Sequence, residues 1–232
     1  MTINIINSGA NSFLRPVYSR KQVENKIISL DEVNDSASLK AILTIDFLKG
    51  LGHKPVVHNN GFIVLNLTKR KRLHIWGHSD IPKIREEQAI HDHVFGFRSF
   101  SLVGKLSNIN YELNTDDSKY QIYFTNQANY LVEPSNVFCD VKLKQMTTIA
   151  PFGNKEELSD FYDIKPWDLH RTIVTEKAAT VIHKSGNIVT THNHQGQRAM
   201  VLIPKDKKPF IESPPLPINE KVLWEIIEDA LT

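Results

Sequence analysis

Short runs rich in β-branched and aromatic residues make up most of this chain, and they constrain its fold more than any other feature. The runs begin near residue 55 and are separated by polar residues, glycines and prolines. They cover residues 62–67, 72–77, 97–104, 120–125, 129–133, 138–149, 171–174 and 199–204. Many evenly distributed strands with few helices predict a barrel or a sandwich.

Helical patterns occur only near the two ends of the chain. Residues 35–52 place Leu39, Leu43 and Phe47 at four-residue spacing behind residues that can cap a helix. Residues 218–232 form a second amphipathic segment, preceded by a proline-rich strap. We therefore predict an N-terminal extension with one helix over residues 1–54, a β-barrel over 55–205, and a strap with a C-terminal helix over 206–232.

Charge and cysteine content argue against several classes of function. A net charge of +2 over 232 residues gives no reason to expect a nucleic acid or a membrane surface as partner. The basic run Lys69–Arg72 falls between two predicted strands, and we interpret it as a solvated turn. The lone Cys139 excludes an internal disulfide and fits a reducing compartment, so a cytoplasmic location is expected. The first residues lack a signal-peptide pattern, and no apolar stretch approaches about 18 residues, so we expect no membrane span.

Two histidines separated by one residue are the strongest chemical signal. On a strand, alternate side chains share a face, so His91 and His93 can face a barrel interior together while Asp92 faces away. His170 begins another predicted strand after a proline-interrupted loop and can deliver a third imidazole. Gly104 lies where the strand after the pair must turn. Three imidazoles would hold one metal ion and leave coordination positions open, although the spacing does not choose the metal.

These residues resemble motifs of the cupin superfamily, whose first motif has an HxH pair and a closing glycine and whose second supplies a later histidine. Within that superfamily the sequence is most similar to thiol dioxygenases of the cysteine dioxygenase type. The similarity is carried by His91, Asp92, His93, residues 102–106, Tyr162, Leu169, His170, Arg171 and His183. The resemblance implies a mainly β fold, the cupin-type double-stranded β-helix or jelly-roll barrel with flanking helices. It also implies Fe(II) as the cofactor, with Zn, Ni and Mn as alternatives.

The resemblance and the aromatic residues near the histidines suggest further site residues. The candidate catalytic residues are His183, Tyr162 and Arg98, and the candidate substrate contacts are Trp167, Phe97 and Arg72. Phe97 stands where cupins usually have a glutamate ligand, so a site of three histidines is expected. Arg98 and Arg72 are alternatives for holding a substrate carboxylate. The predicted function is that of a mononuclear non-haem iron oxygenase acting on a small molecule, and pairing of two copies through their outer sheets stays open.

Other interpretations of the same sequence are retained. His78 and Asp80 form an HxD, the start of the two-histidine, one-carboxylate triad of iron enzymes that consume 2-oxoglutarate. In that case the distal ligand is His170 or His183, and Arg198 holds the co-substrate. Alternatively, the chain is a cupin without catalysis that binds a small ligand or a protein. A second alternating pair, His192 and His194, lies among turn-forming residues and is interpreted as surface.

Overall fold

The computed structural model describes residues 30–58, 60–79, 81, 89–114, 118–126, 131–152, 158–185, 199–207 and 218–232. The helices are α1 (Ser36–Ile42), α2 (Ile45–Gly50) and α3 (Glu220–Leu231). The strands are β1 (Val56–His58), β2 (Phe62–Asn66), β3 (Lys71–Trp76), β4 (Ile90–His91), β5 (Gly96–Val103), β6 (Leu106–Asn114), β7 (Tyr120–Asn126), β8 (Leu131–Ile149), β9 (Phe161–Ile164), β10 (Leu169–Val174), β11 (Ala178–Ser185) and β12 (Met200–Pro204).

The strands form two antiparallel sheets. The first has the order β1-β2-β3-β11-β5-β9, and the second closes on itself in the order β10-β4-β12-β7-β8-β6. From β3 onward the chain crosses between the two sheets repeatedly, which is the winding of a jelly roll. The predicted fold class is confirmed: a mainly β, cupin-type jelly roll with flanking helices.

The first sheet is buried on both faces. On β3, Leu73 and Ile75 share a core with Leu39 of α1, Phe47 of α2 and Ile226 of α3. The intervening side chains of β3 point to the opposite face, toward the second sheet, because side chains alternate along a strand. The helices therefore close one face of the sheet and leave the other free to line a site.

The predicted helix over residues 35–52 is two helices. Asp35 caps the first by accepting a hydrogen bond from the Ser38 N–H at 2.7 Å. Leu43 then leaves the helical conformation, and the Thr44 hydroxyl starts α2 by accepting from the Phe47 N–H at 3.3 Å. A capping threonine in mid-pattern thus bends a segment whose apolar spacing looks continuous.

Other elements also differ from the sequence patterns. The predicted strand 138–149 and residues 131–133 of the predicted strand 129–133 belong to the single long strand β8, while residues 129–130 lie outside the described residues. The predicted runs did not include β1, β6, β9 or β11; β1 and β9 are short, and β6 is rich in polar residues. The predicted C-terminal helix is present and buries its apolar side. None of the helices in the described ranges has the length and apolar content needed to cross a membrane. Residues 1–29 and 208–217 lie outside the described ranges, and the predicted domain boundaries stay a prediction.

Gly104 sits at the turn between β5 and β6, where the sequence predicted a turn. Its φ angle is 69°, in the left-handed region that favours glycine. A Cβ atom at this position would collide with the backbone carbonyl oxygen of Lys177. The close approach of these two loops therefore requires glycine.

The basic run Lys69–Arg72 is only partly the solvated turn that we predicted. Lys69 and Arg70 are exposed, whereas Lys71 is fully buried on the face of β3 that meets the helices. Arg72 lies on the opposite face, in the lining of a cavity between the sheets. Because side chains alternate along β3, Lys71 and Arg72 point to opposite faces of the sheet, and neither belongs to an exposed turn.

The Lys71 ammonium group ties the segment before α1 to the first sheet. Its Nζ donates hydrogen bonds to the carbonyl oxygens of Leu30 at 2.8 Å and Val33 at 2.5 Å. Burial lowers the pKa of Lys71 to about 8, while the Asp31 carboxylate acts in the opposite direction. The hydrogen bonds to these carbonyl groups thus offset the free-energy cost of burying the Lys71 ammonium group.

Replacing Lys71 by methionine should lower the free energy of unfolding by about 2 kcal/mol, because the carbonyl oxygens of Leu30 and Val33 lose their charged donor. The matched control is Lys69→Met, which removes an exposed lysine from the same turn and should change stability by less than about 0.5 kcal/mol. Urea denaturation of the three proteins measures both values. Equal stability of the two variants would contradict the account.

Candidate metal centre

Three imidazoles converge between the two sheets. His91 lies on β4 and faces His170 directly across the β4–β10 pair, while His93 follows two residues after His91. One ring nitrogen from each histidine lies within 4.8 Å of the others. The ring centroids are 4.7 Å apart for His91 and His170, 4.9 Å for His91 and His93, and 5.1 Å for His93 and His170. The structure thus brings together the three residues that the sequence suggested as ligands.

Backbone carbonyl groups fix the orientation of two of these rings. The Nδ1 atom of His91 lies 2.9 Å from the carbonyl oxygen of Ala89, and Nδ1 of His170 lies 3.1 Å from that of Asp168. Because a carbonyl oxygen only accepts, Nδ1 carries the hydrogen in both rings and Nε2 offers its lone pair. A hydrogen bond from the other ring nitrogen to a carbonyl oxygen usually accompanies a metal-bound histidine.

Two of the histidines, His93 and His170, are held in the neutral form that a metal requires. Burial, followed by the neighbouring His91, lowers the pKa of His170 to about 3. Burial is also the main cause that holds the pKa of His93 well below its ordinary value. Three neutral imidazole nitrogens fit a first-row transition metal such as iron, nickel or zinc and suit magnesium and calcium poorly.

Asp92 lies between the paired histidines but turns away from them. Its side chain is buried, and Oδ1 accepts a hydrogen bond from the Met200 N–H at 2.7 Å. Its own backbone N–H donates to the Met200 carbonyl oxygen at 3.1 Å. Burial raises the pKa of Asp92 to about 6. Asp92 therefore anchors the segment that carries the two histidines to β12.

A second backbone contact holds the loop that carries His93. The Trp167 N–H donates to the carbonyl oxygen of His93 at 2.9 Å, which joins the loop before β10 to the loop after β4. Trp167 adopts a φ angle of 68°, and its side chain is 39% exposed. The indole ring is not in the lining of the cavity, and a substrate contact by Trp167 stays a prediction.

The imidazoles form part of the wall of a cavity of about 90 Å³. Phe97 stands beside them, with its ring centroid 5.3 Å from His93 and 5.8 Å from His170. Phe95 stacks on His93 at 5.2 Å. Apolar rings thus occupy the position at which cupins usually have a fourth, acidic ligand.

Tyr162 of β9 lies in the same wall, with its ring centroid 6.4 Å from Phe97. Burial raises the pKa of Tyr162, and hydrogen bonds to Thr172 and Ser99 act against that rise. Its phenol is therefore neutral at physiological pH. The structure places this candidate catalytic residue on the cavity.

The first sheet supplies a cluster of aromatic side chains that sequence analysis missed. Phe62 stacks on His58 with centroids 4.4 Å apart and contacts Trp76 at 4.0 Å and His74 at 4.7 Å. Trp76 donates from Nε1 to the Thr180 hydroxyl at 3.1 Å. His74 could have been found from the alternation of β3, because Leu73 and Ile75 point to the helices and their neighbours must point inward.

Two cationic side chains from the first sheet also line the cavity, namely Arg72 of β3 and Lys184 of β11. The Lys184 Nζ lies 4.6 Å from the ring centroid of Phe95. Burial and the nearby Arg72 lower the pKa of Lys184 to about 8. Arg72 was a predicted substrate contact, whereas Lys184 was not identified from the sequence.

Two of the candidate catalytic residues lie outside the cavity. His183 points to the helix-covered side of β11, where its Nδ1 is 3.1 Å from the Asn34 side-chain oxygen. Arg98 points away from the cavity on β5 and forms two hydrogen bonds of 2.8 Å with the Asp163 carboxylate. Both residues are one position away from side chains that do face the cavity, which are Lys184 and Phe97.

His78, the first residue of the HxD motif, lies away from the candidate metal centre. The Nε2 atom of His78 lies 3.6 Å from a carboxylate oxygen of Asp229 in α3, on the outside of the barrel. Asp80, Arg198, His192 and His194 lie outside the described residues. The placement of His78 therefore does not support the 2-oxoglutarate interpretation.

Comparisons with known proteins add little to this geometry. No family model matches the chain, and no curated protein matches it. The solved structures similar to it include the hydroxypropylphosphonic acid epoxidase from S. wedmorenis, at 10% identity over 70% of this chain and 94% of that chain, with a TM-score of 0.28. The class of the fold rests on the strand order, and the metal centre rests on the positions of its own side chains.

Removal of a ligand should remove the metal. We expect the purified chain to carry near-stoichiometric transition metal, and His91→Ala or His170→Ala to lower metal affinity by at least about tenfold, since loss of even a second-shell partner has an effect of that size. His183→Ala is the matched control, because this histidine faces Asn34 outside the cavity. Elemental analysis measures the metal, and circular dichroism verifies the fold. Unchanged metal content in both ligand variants would contradict the site.

Proposed function

We propose that the chain is a mononuclear non-haem iron enzyme that oxidises a small molecule with dioxygen. The observation that carries the proposal is the convergence of His91, His93 and His170, all on the wall of one cavity. Among the described residues that line this cavity there is no aspartate or glutamate. The resemblance of the histidine motifs to thiol dioxygenases of the cysteine dioxygenase type supports iron as the metal, with zinc, nickel and manganese as the alternatives.

The ligand set defines what the centre can do. Iron(II) bound by His91, His93 and His170 would retain its positive charge, because imidazole ligands are uncharged, and it would supply the redox chemistry between an anionic substrate and dioxygen. The protein binds the ion and orients the histidine rings that hold it. The carbonyl oxygens of Ala89 and Asp168 fix the ring orientations of His91 and His170. The backbone N–H of Trp167 holds the loop that carries His93.

The aromatic wall has a separate role. Phe95, Phe97 and Trp76 keep water from part of the cavity and present flat apolar surfaces to a ligand. Tyr162 stays protonated because burial raises its pKa, so its hydroxyl offers a neutral hydrogen-bonding group to the site. A closed, largely apolar environment strengthens each polar contact that a ligand makes inside it.

A small molecule fits this cavity better than a macromolecule does. The cavity has a volume of about 90 Å³. Two of the four positive charges of the run Lys69–Arg72 point into the interior, which weakens the case for a nucleic-acid surface there. Since His183 and Arg98 lie outside the cavity, the substrate contacts of the thiol dioxygenases are not assigned to this chain.

Oxygen uptake tests the reaction. The chain reconstituted with Fe(II) should consume dioxygen in the presence of at least one member of a panel of small thiols, catechols and carboxylic acids. His170→Ala should lose this uptake because the metal loses a ligand, and the zinc-loaded native chain should lose it because zinc has no redox chemistry. Uptake that is equal in native and His170→Ala proteins would contradict the proposal, and no uptake with any member of the panel would favour a cupin that only binds a ligand.

A further inference from the structure

Lys184 lies beside the candidate metal centre, although it belongs to the first sheet. It pairs with Phe97 in the β5–β11 register, and paired residues of neighbouring strands point to the same face of a sheet. The ring centroid of Phe97 lies 5.3 Å from that of His93 and 5.8 Å from that of His170. The side chain of Lys184 therefore enters the cavity next to the residues that would hold the ion.

Two contacts fix the position of Lys184. Its backbone N–H donates to the carbonyl oxygen of Arg70 at 3.0 Å, which holds the end of β11 against the turn between β2 and β3. Its Nζ lies 4.6 Å from the ring centroid of Phe95, and the Phe95 ring stacks on His93 at 5.2 Å. An ammonium group over a ring face is attracted by the negative charge of that face. One aromatic ring thus separates the charge of Lys184 from a candidate metal ligand.

The contact with Phe95 leaves the N–H groups of the ammonium without an acceptor. A lysine carries three such donors, and for those of Lys184 the described residues provide neither a hydrogen-bond acceptor nor a carboxylate within ion-pair distance. Burial, followed by the neighbouring Arg72, lowers the pKa of Lys184 to about 8, and no carboxylate acts against this shift. A half-buried ammonium group in this state gains free energy from any anion that enters the cavity.

We infer that Lys184 binds a carboxylate group on the ligand of this cavity and thereby selects small carboxylic acids over neutral molecules. The carboxylate would accept charge-assisted hydrogen bonds from the ammonium group. The apolar remainder of the ligand would lie against the rings of Phe95 and Phe97, in a cavity of about 90 Å³. The inference rests on the proposed function only in taking this ligand to be the substrate of the metal centre. A lysine that merely covers Phe95 and is solvated would give no preference between acids and neutral analogues.

Binding of two small acids and their amides tests the role of Lys184. Butyrate and benzoate carry one negative charge at about pH 7, whereas butyramide and benzamide have nearly the same shape and no charge. At this pH most of the Lys184 ammonium groups are protonated, because their pKa is about 8. Calorimetric titration of the full-length chain should show at least one acid binding about tenfold more tightly than its amide.

Variants assign the preference to one side chain. Lys184→Met removes the charge and should bring the affinities for acid and amide within about twofold of each other, while Lys184→Arg should retain the preference. The matched control is Lys69→Met, which removes an exposed lysine and should leave the preference unchanged. Circular dichroism verifies the fold of each variant. Equal binding of acids and amides by the native chain, or an unchanged preference in Lys184→Met, would overturn the inference.

Removal of the metal separates this inference from the proposed function. A carboxylate can also bind a metal ion directly, so the titrations are repeated on the chelated native chain and on His170→Ala. Both should retain the preference for acids, because Lys184 supplies it. Loss of the preference in both would assign it to the ion and overturn the role of Lys184. A chain that prefers acids but consumes no dioxygen with any substrate of the panel would defeat the proposed function and leave the role of Lys184 standing.

Discussion

Alternation of side chains along the first sheet is the constraint on which the rest of the structure depends. Because helices cover one face of this sheet, every second residue of β3 and β11 points toward the helices, and most of these residues belong to an apolar core. The remaining residues face the second sheet and include Arg72, His74 and Lys184. A chain whose sheet faced water on that side could not maintain a cavity walled by aromatic and cationic groups.

The metal centre depends on a connection between two strands rather than on one motif. His91 and His170 are brought together because β4 and β10 pair at these residues, and their rings are oriented by the carbonyl oxygens of Ala89 and Asp168. Asp92, whose carboxylate turns away, secures the same segment to β12. The second sheet therefore supplies the ligands, while the first sheet supplies most of the wall opposite them. This division places the candidate metal ligands on one side of the cavity and aromatic and cationic groups on the other.

The sequence allowed the fold class and the three histidines to be predicted, because strand-rich composition and an HxH pair are local patterns. Phe97, Tyr162 and Arg72 were also predicted as site residues and line the cavity. His74 and Lys184 were not, because their placement depends on which face of a strand is buried, and this was not visible without the helix packing. A shift of one residue moves a side chain to the opposite face, which is why His183 and Arg98 were selected where Lys184 and Phe97 line the cavity. Similarly, Lys71 and Arg72 were both assigned to a solvated turn, although one is buried under the helices and the other lines the cavity. The break in the first helix escaped prediction because Thr44 lies within an unbroken apolar spacing.

The central claim is that three neutral imidazoles, without a protein carboxylate, hold one metal ion between the sheets. X-ray absorption spectroscopy of the zinc-loaded chain measures this coordination shell directly. The account predicts three imidazole nitrogens at about 2.0–2.1 Å, with any further ligand coming from solvent. A shell with two imidazoles and a protein carboxylate, or a fit without imidazole scattering, would contradict it.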